Sequence, residues 1–185
     1  VAHFFLKVVA TTGEEASCDV GIVVHPVNSP PAIDIDESLV RASVEPHEDV
    51  PLGGVVLVSD PDDDAEGFRS GVINAVRVSL RVSCGHLSFG MPGLRDYTLG
   101  VQNGSIAGLE GLTFNHGDGS RDEFIDVTSS INHLNVQLQR LYYHSGGGCR
   151  GQNITLTVEI DDLGNYGAGG PLRARATTGW TVTEG

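Results

Sequence analysis

Two segments of this chain, lying about 150 residues apart, read as the same piece of structure. Residues 1–31 run strand, acidic turn, strand and then Val27-Asn-Ser-Pro-Pro31. Residues 153–183 run Ile154-Thr-Leu-Thr-Val-Glu-Ile160, an acidic glycine-rich turn, and a second strand from Leu172 to Val182. Two closing hairpins in one chain imply tandem β units, with 1–27 as the hairpin that closes a preceding repeat or a neighbouring subunit. Residues 28–43 then read as a linker, and 44–185 as one whole unit. Arrays of this kind are elongated, and their work is mechanical or adhesive more often than catalytic.

Composition narrows the partners. Eleven basic against 24 acidic residues give a formal net charge of −13. That charge disfavours nucleic acid and anionic membrane surfaces, which are themselves negative. With 25 glycines and only 19% charged residues, the profile is that of an extracellular all-β protein. No apolar run approaches the roughly 20 residues that a membrane-spanning helix needs, so no membrane insertion is expected. Asn103-Gly-Ser105 and Asn153-Ile-Thr155 are N-glycosylation sequons. Of the three cysteines, Cys84 ends a long strand and Cys149 sits in a Gly146-Gly-Gly-Cys loop before the closing hairpin. Both can lie at one end of a sandwich, and we expect them to pair, leaving Cys18 free or paired outside the unit. Their spacing is too wide for a zinc knuckle.

Alternation places the strands. Phe4–Ala10 and Cys18–His25 flank the turn at Thr12-Gly-Glu-Glu15, and Asn28-Ser-Pro-Pro31 breaks the ladder because proline has no N–H to donate. Ile33 and Ile35 alternate with Asp34 and Asp36 in an extended, edge-like segment. Leu52–Val58 is a short apolar strand, followed by the acidic loop Asp60-Pro-Asp-Asp-Asp64. Val76, Val78, Leu80 and Val82 put one apolar face on a strand spanning 72–83. Gly85–Phe89, Leu112–Phe114 and Glu123–Val127 continue the sheets. Ile131, Leu134, Leu138 and Leu141 fall at helical spacing behind a cap at Thr128 or Ser129, and this helix is expected to pass into a strand near Leu141-Tyr-Tyr143. Short strands broken by turn residues indicate a Greek-key sandwich with one short helix.

Read in order, Glu48-Asp49-Val-Pro-Leu52, Val58-Ser-Asp-Pro-Asp62, Val78–Ser83 with Gly85-His-Leu-Ser88, Gly117-Asp-Gly119, Ile131-Asn-His-Leu-Asn135 and Ile160-Asp-Asp-Leu-Gly164 form a recognisable succession. It resembles the cadherin-like repeats, of the tandem-95 and VCBS type, found in giant surface and adhesin proteins. The resemblance covers roughly 44–183. It implies a cadherin-like sandwich in a tandem array, calcium at the ends of units, and a role in adhesion or surface fibres. The linker departs from that pattern, because Ser29 stands where such repeats often carry an aspartate.

The acids supply the candidate chemistry. Calcium takes six to eight oxygen ligands. Asp60, Asp62 and Asp64 cluster in one turn, Asp161 and Asp162 adjoin a glycine-rich loop, and Glu48 is a further companion. An EF-hand is excluded by the missing glycine and glutamate at their fixed offsets. No nucleophile elbow or HExxH motif is present, so the histidines read as turn or surface residues and no enzyme is expected. Trp180 and Tyr142-Tyr143 read as core or sheet-face residues.

The sequence thus points to a non-catalytic structural or adhesive repeat of an extracellular or cell-surface filament. Neighbouring copies, joined head to tail, would be its partners, and calcium, disulfide and glycans would stiffen it. The alternative is a carbohydrate-recognition module of a surface enzyme, with glycans as partners.

Overall fold

A computed structural model of the protein describes residues 2–63, 75–90, 111–164 and 167–185. Among these, the hairpin β1 (Ala2–Val9) and β2 (Glu15–Ile22) forms a two-stranded sheet by itself. Every residue from Leu6 to Val27 whose side chain is described is exposed.

The remaining strands make an all-β, sandwich-like body. Its larger sheet has the order β4 (Ser43–Val44), β13 (Arg173–Val182), β12 (Asn153–Asp161), β7 (Ala75–Val82), β10 (Phe124–Ser130), β9 (Thr113–His116). Facing it are β5 (Asp49–Pro51), β11 (Leu141–His144) and β8 (His86–Phe89) in one sheet, and β3 (Ala32–Ile35) with β6 (Val56–Ser59) in another. Strand alternation builds the core. Val76, Val78, Leu80 and Val82 of β7 and Ile154, Leu156, Val158 and Ile160 of β12 all point inward and are buried. They meet Val56, Val58, Leu87, Leu141 and Tyr143 from the facing strands.

Helix α1 (Ile131–Leu138) packs Ile131, Leu134 and Leu138 into this core, as the helical spacing predicts. Its cap, however, is Ser130, the last residue of β10, whose hydroxyl accepts from His133 N–H; Thr128 and Ser129 lie further back along the strand. Leu141 begins β11, the strand expected to follow the helix. The strand expected at 52–58 is shorter, because β5 ends at Pro51, residues 52–55 are not strand, and β6 starts only at Val56. The break falls at Gly53-Gly54, where Gly54 has φ +85° and Gly53 packs directly on the Gln139 carbonyl, leaving no room for a Cβ.

The stretch expected to be a linker is built into the body. Ile33 lies opposite Val58 and Ile35 opposite Val56, so 32–35 is a paired strand and only its approach is a connection. The far edge of β6 is closed by a side chain. Asn135 accepts from Val58 N–H at 3.0 Å and donates to Val58 C=O at 2.9 Å, filling the place of a neighbouring strand.

Candidate functional site

The exit of the β1–β2 hairpin is fixed to one end of the sandwich. Asn28 N–H donates to the Ala168 carbonyl and Ala168 N–H to the Pro26 carbonyl, each at 2.9 Å. The chains approach so closely that Gly167, at φ +64°, has Pro26 O only 2.7 Å from where a Cβ would sit. The Asn28 side chain is buried, and its amide donates to Asp162 Oδ2 at 2.7 Å and to the Gly170 carbonyl at 2.9 Å. Asp162 also accepts from Gly164 N–H and Leu172 N–H, so one carboxylate gathers the β12–β13 loop and the linker together. Beside it, Ser29 N–H donates to Asp62 Oδ2 at 2.5 Å, and Asp62 N–H to Asp60 Oδ1 at 2.9 Å.

This junction therefore brings together Asp60, Asp62 and Asp162 of the expected calcium ligands. Burial pushes the Asp60 carboxyl above the usual aspartate range; the Asp62 N–H opposes this, while repulsion from Asp62, Asp162 and Asp63 adds to it. Asp161 is turned away. Adjacent strand residues face opposite sides, so Asp161 lies on the outer surface, held by Arg173 at 2.7 Å and by Leu163 N–H.

Glu48 is not a companion of Asp60 either. It is bonded to Arg41 and to Glu45 N–H, which together hold its carboxyl below the usual range. Thr183, past the far end of β13, bonds Glu45 in turn. The ten residues of β13 separate the two ends by about 33 Å. Asp64 lies outside the described residues.

Among the described residues no three His, Cys, Asp or Glu side chains converge as a metal site. A cation at the junction would have to compete with the Asn28 amide and the Ser29 N–H for the Asp162 and Asp62 oxygens. Asp118 and Asp122 are used locally. The Asp122 carboxylate accepts from the N–H groups of Asp118, Gly119 and Ser120 and so shapes its own turn.

At the opposite end Cys84 and Cys149 form a disulfide, with Cα atoms 5.8 Å apart. It closes a span of 65 residues, worth about 4 kcal/mol in the chain-entropy model. Cys18 is exposed and outside that bond. Asn153 opens β12 with its side chain exposed and accepts from the Thr181 hydroxyl, and Thr155 of the same sequon is also exposed. Asn103 lies outside the described residues.

Two arrangements escape a reading of the sequence. The first is a chain of polar side chains across three strands, buried at Ser88 and His144 and open at Asp49. His144 Nδ1 lies 2.5 Å from Asp49 Oδ1, and its Nε2 lies 2.9 Å from Ser88 Oγ. The order Asp–His–Ser is that of a hydrolase relay. Here, however, Ser88 and His144 are both buried, and the Ser88 hydroxyl accepts from Arg121 N–H at 2.8 Å. The arrangement ties β5, β11 and β8 to the loop before β10. His144 was expected to be a turn or surface histidine; its place in the middle of a three-stranded sheet buries it.

The second arrangement is a ladder of charge on the outer face of the larger sheet. Arg173 and Arg77 flank Asp161 there, Arg77 grips Asp126 through Nε at 2.8 Å and through Nη2, and Arg175 meets Glu159. All of these but Arg175 line a shallow cleft of about 260 Å³. The Arg77 guanidinium and the Asn115 amide hold Asp126 below the usual carboxylate range despite its burial. Cross-strand pairs of opposite charge stabilise a sheet modestly, and exposed ones least.

Compared with known protein families, curated proteins and solved structures, the chain matches no family model, no curated protein and no solved structure.

Proposed function

We propose that this protein is a non-catalytic structural or adhesive unit of an extracellular surface filament or cell-surface adhesin, built as a cadherin-like Greek-key sandwich within a tandem array. The observation that carries this reading is the bare hairpin β1–β2, none of whose described side chains enters the core of the sandwich that follows it. A lone two-stranded hairpin is marginal in water, and its open edges invite pairing. Its faces and edges are satisfied once it completes a sandwich outside residues 32–185.

The Asn28 junction supports the same reading, because a connector that transmits force has to leave its unit at a fixed place. A heterologous joint of this kind propagates as an open fibre unless it closes into a ring. Calcium enters the proposal as a counter-charge for Asp60, Asp62 and Asp162 at the junction. Glycans at Asn153, and at Asn103 in the segment not described, belong to the extracellular setting, which the disulfide also suits.

The competing reading, a carbohydrate-recognition module, would use Trp180 or Tyr143 as a stacking platform. Both are buried and pack edge to face, with ring centroids 4.8 Å apart. Of Trp180, Tyr142 and Tyr143, this leaves the half-buried Tyr142 for such a platform.

Deleting residues 1–27 tests the proposal. The remaining sandwich should melt as the full chain does, yet lose its linkage to the next unit. Long assemblies that persist unchanged without residues 1–27 would show that the hairpin is not the joint.

A further inference from the structure

The register of β1–β2 sorts its side chains into two unlike faces. Leu6 lies opposite Cys18 and Val8 opposite Ala16, and Val20 and Ile22 continue the same row at period two. The other face carries Lys7, Val9, Glu15, Ser17 and Gly21, with Lys7 Nζ reaching Glu15 at 2.7 Å. Among the described side chains of the apolar row none is covered: Leu6 is 59% exposed, Val8 57%, Val20 43% and Ile22 47%. Ala16 and Cys18 in the same row are exposed as well.

The closing hairpin β12–β13 carries the matching row, buried except at the half-buried Ala176. There Leu156 lies opposite Thr178 and Val158 opposite Ala176, just as Leu6 lies opposite Cys18 and Val8 opposite Ala16. Continuing the match sets Val20 on Trp180 and Ile22 on Val182. Three positions carry the same residue in both hairpins: Leu6 and Leu156, Val8 and Val158, Ala16 and Ala176. In the sandwich this row is received by two particular strands. Leu156 faces Val82, and Val158 faces Leu80, across an antiparallel pairing with β7; Val182 faces Val44 across a parallel pairing with β4.

We infer that β1–β2 is a donated closing hairpin, and that what receives it is a sandwich of this same architecture whose own β12–β13 place is empty. β1 pairs antiparallel with the strand equivalent to β7, β2 pairs parallel with the strand equivalent to β4, and the row from Leu6 to Ile22 enters the core with Cys18 inside it. This inference rests on the assembly reading above and specifies its partner. The main chain supplies the strength of such an addition, and the alternating row supplies the register. One position marks the receiving unit as different from this one. Val20 replaces the large Trp180, which here packs on Tyr143, so the receiving core has to be filled from its own side at that point.

The test is a transplant within the full chain. Residues 153–158 take the sequence of residues 3–8, and residues 176–182 that of residues 16–22. Trp180 is retained because of Tyr143, and Gly179 because the Ile154 carbonyl oxygen lies 2.4 Å from where a Cβ would sit. The transplant should melt cooperatively within about 10 °C of the parent. Its thiol at position 178 should react with a maleimide at least ~100-fold more slowly than in urea, while Cys18 of the same chain reacts freely. A second transplant, slipped by one residue (4–9 and 15–21), turns Lys7 and Glu15 inward and should not fold. Loss of the fold in the first transplant, or equal folding of both, would overturn the inference. Failure of the assembly reading is a separate result, seen when the chain lacking residues 1–27 still assembles although the in-register transplant folds.

Discussion

The two hairpins of this protein share a pattern and differ in everything around it. In β12–β13 the inward row is enclosed, with Leu156, Val158 and Val182 fully buried between β7 and β4. In β1–β2 the corresponding row lies in solvent. Alternation and cross-strand register are local properties, and both segments have them. Burial is a property of the place that receives the hairpin, and only one such place is supplied by the strands around it. A hairpin can therefore be fully specified as a hairpin and still be unfinished as structure.

The sharpest way to break this comparison is to put a charge into each row. Leu156→Asp buries a carboxylate with no partner among Val82, Val158 and their neighbours, and should cost at least about 4 kcal/mol, enough to unfold an ordinary domain. Leu6→Asp at the matching position of the bare hairpin should change the sandwich's chemical-denaturation midpoint by an amount equivalent to less than about 0.5 kcal/mol. Comparable destabilisation by both would mean that β1–β2 already packs against the body, and the contrast between the hairpins would be lost.

The same contrast explains what the sequence made legible. Strands buried on one face announce themselves by period two, as β7, β12 and β13 do, because the core selects every second residue. The helix was legible for the same reason at period 3.6. What stayed hidden depends on partners distant in the chain. Residues 32–35 become a strand only because β6 lies alongside, and nothing in Ala-Ile-Asp-Ile states that pairing. Asp49, Ser88 and His144 meet because β5 and β8 flank β11, across 95 and 56 residues of chain.

At the candidate site, the cluster of acids was visible but its division was not. Asp161 and Asp162 are neighbours in sequence and face opposite sides of one strand, and Glu48 shares their chemistry from the other end of the sheet. The disulfide could be anticipated because Cys84 follows directly on a strand whose period was clear.

The junction between the two hairpins offers a test of intermediate size. Asn28→Ala removes the donor to Asp162 Oδ2 and to the Gly170 carbonyl, leaving a buried carboxylate oxygen and a carbonyl short of a partner. The expected cost is about 2 kcal/mol. Hydrogen exchange should show it at the Asn28–Ala168 pairing, with the N–H groups of β7 unaffected. If exchange at Asn28 and Ala168 is unchanged, the side chain is not what anchors the hairpin to its unit.

The smallest expected effect lies at Asp60, and its sign separates the two ways of holding the junction. Burial, reinforced by Asp62, Asp162 and Asp63, raises this carboxyl above its ordinary value of 3.8, so the folded state holds its proton more tightly than the unfolded chain. Folding therefore takes up protons in that window, and stability is lost as pH rises from about 3.8 through the raised folded value. Asp60→Asn abolishes that loss and keeps an oxygen for the Asp62 N–H. At pH 7 in chelator the variant should be more stable than the parent by less than about 1 kcal/mol, and the difference should vanish below pH 3.8. Calcium reverses the ranking if it supplies the counter-charge. At 10 mM, with an affinity on the order of 1 mM, it would stabilise the parent by about 1.4 kcal/mol and the variant by less. Equal responses of the two proteins to calcium would leave the Asn28 amide and the Ser29 N–H as the groups that hold these carboxylates, and the joint between units would then be built without metal.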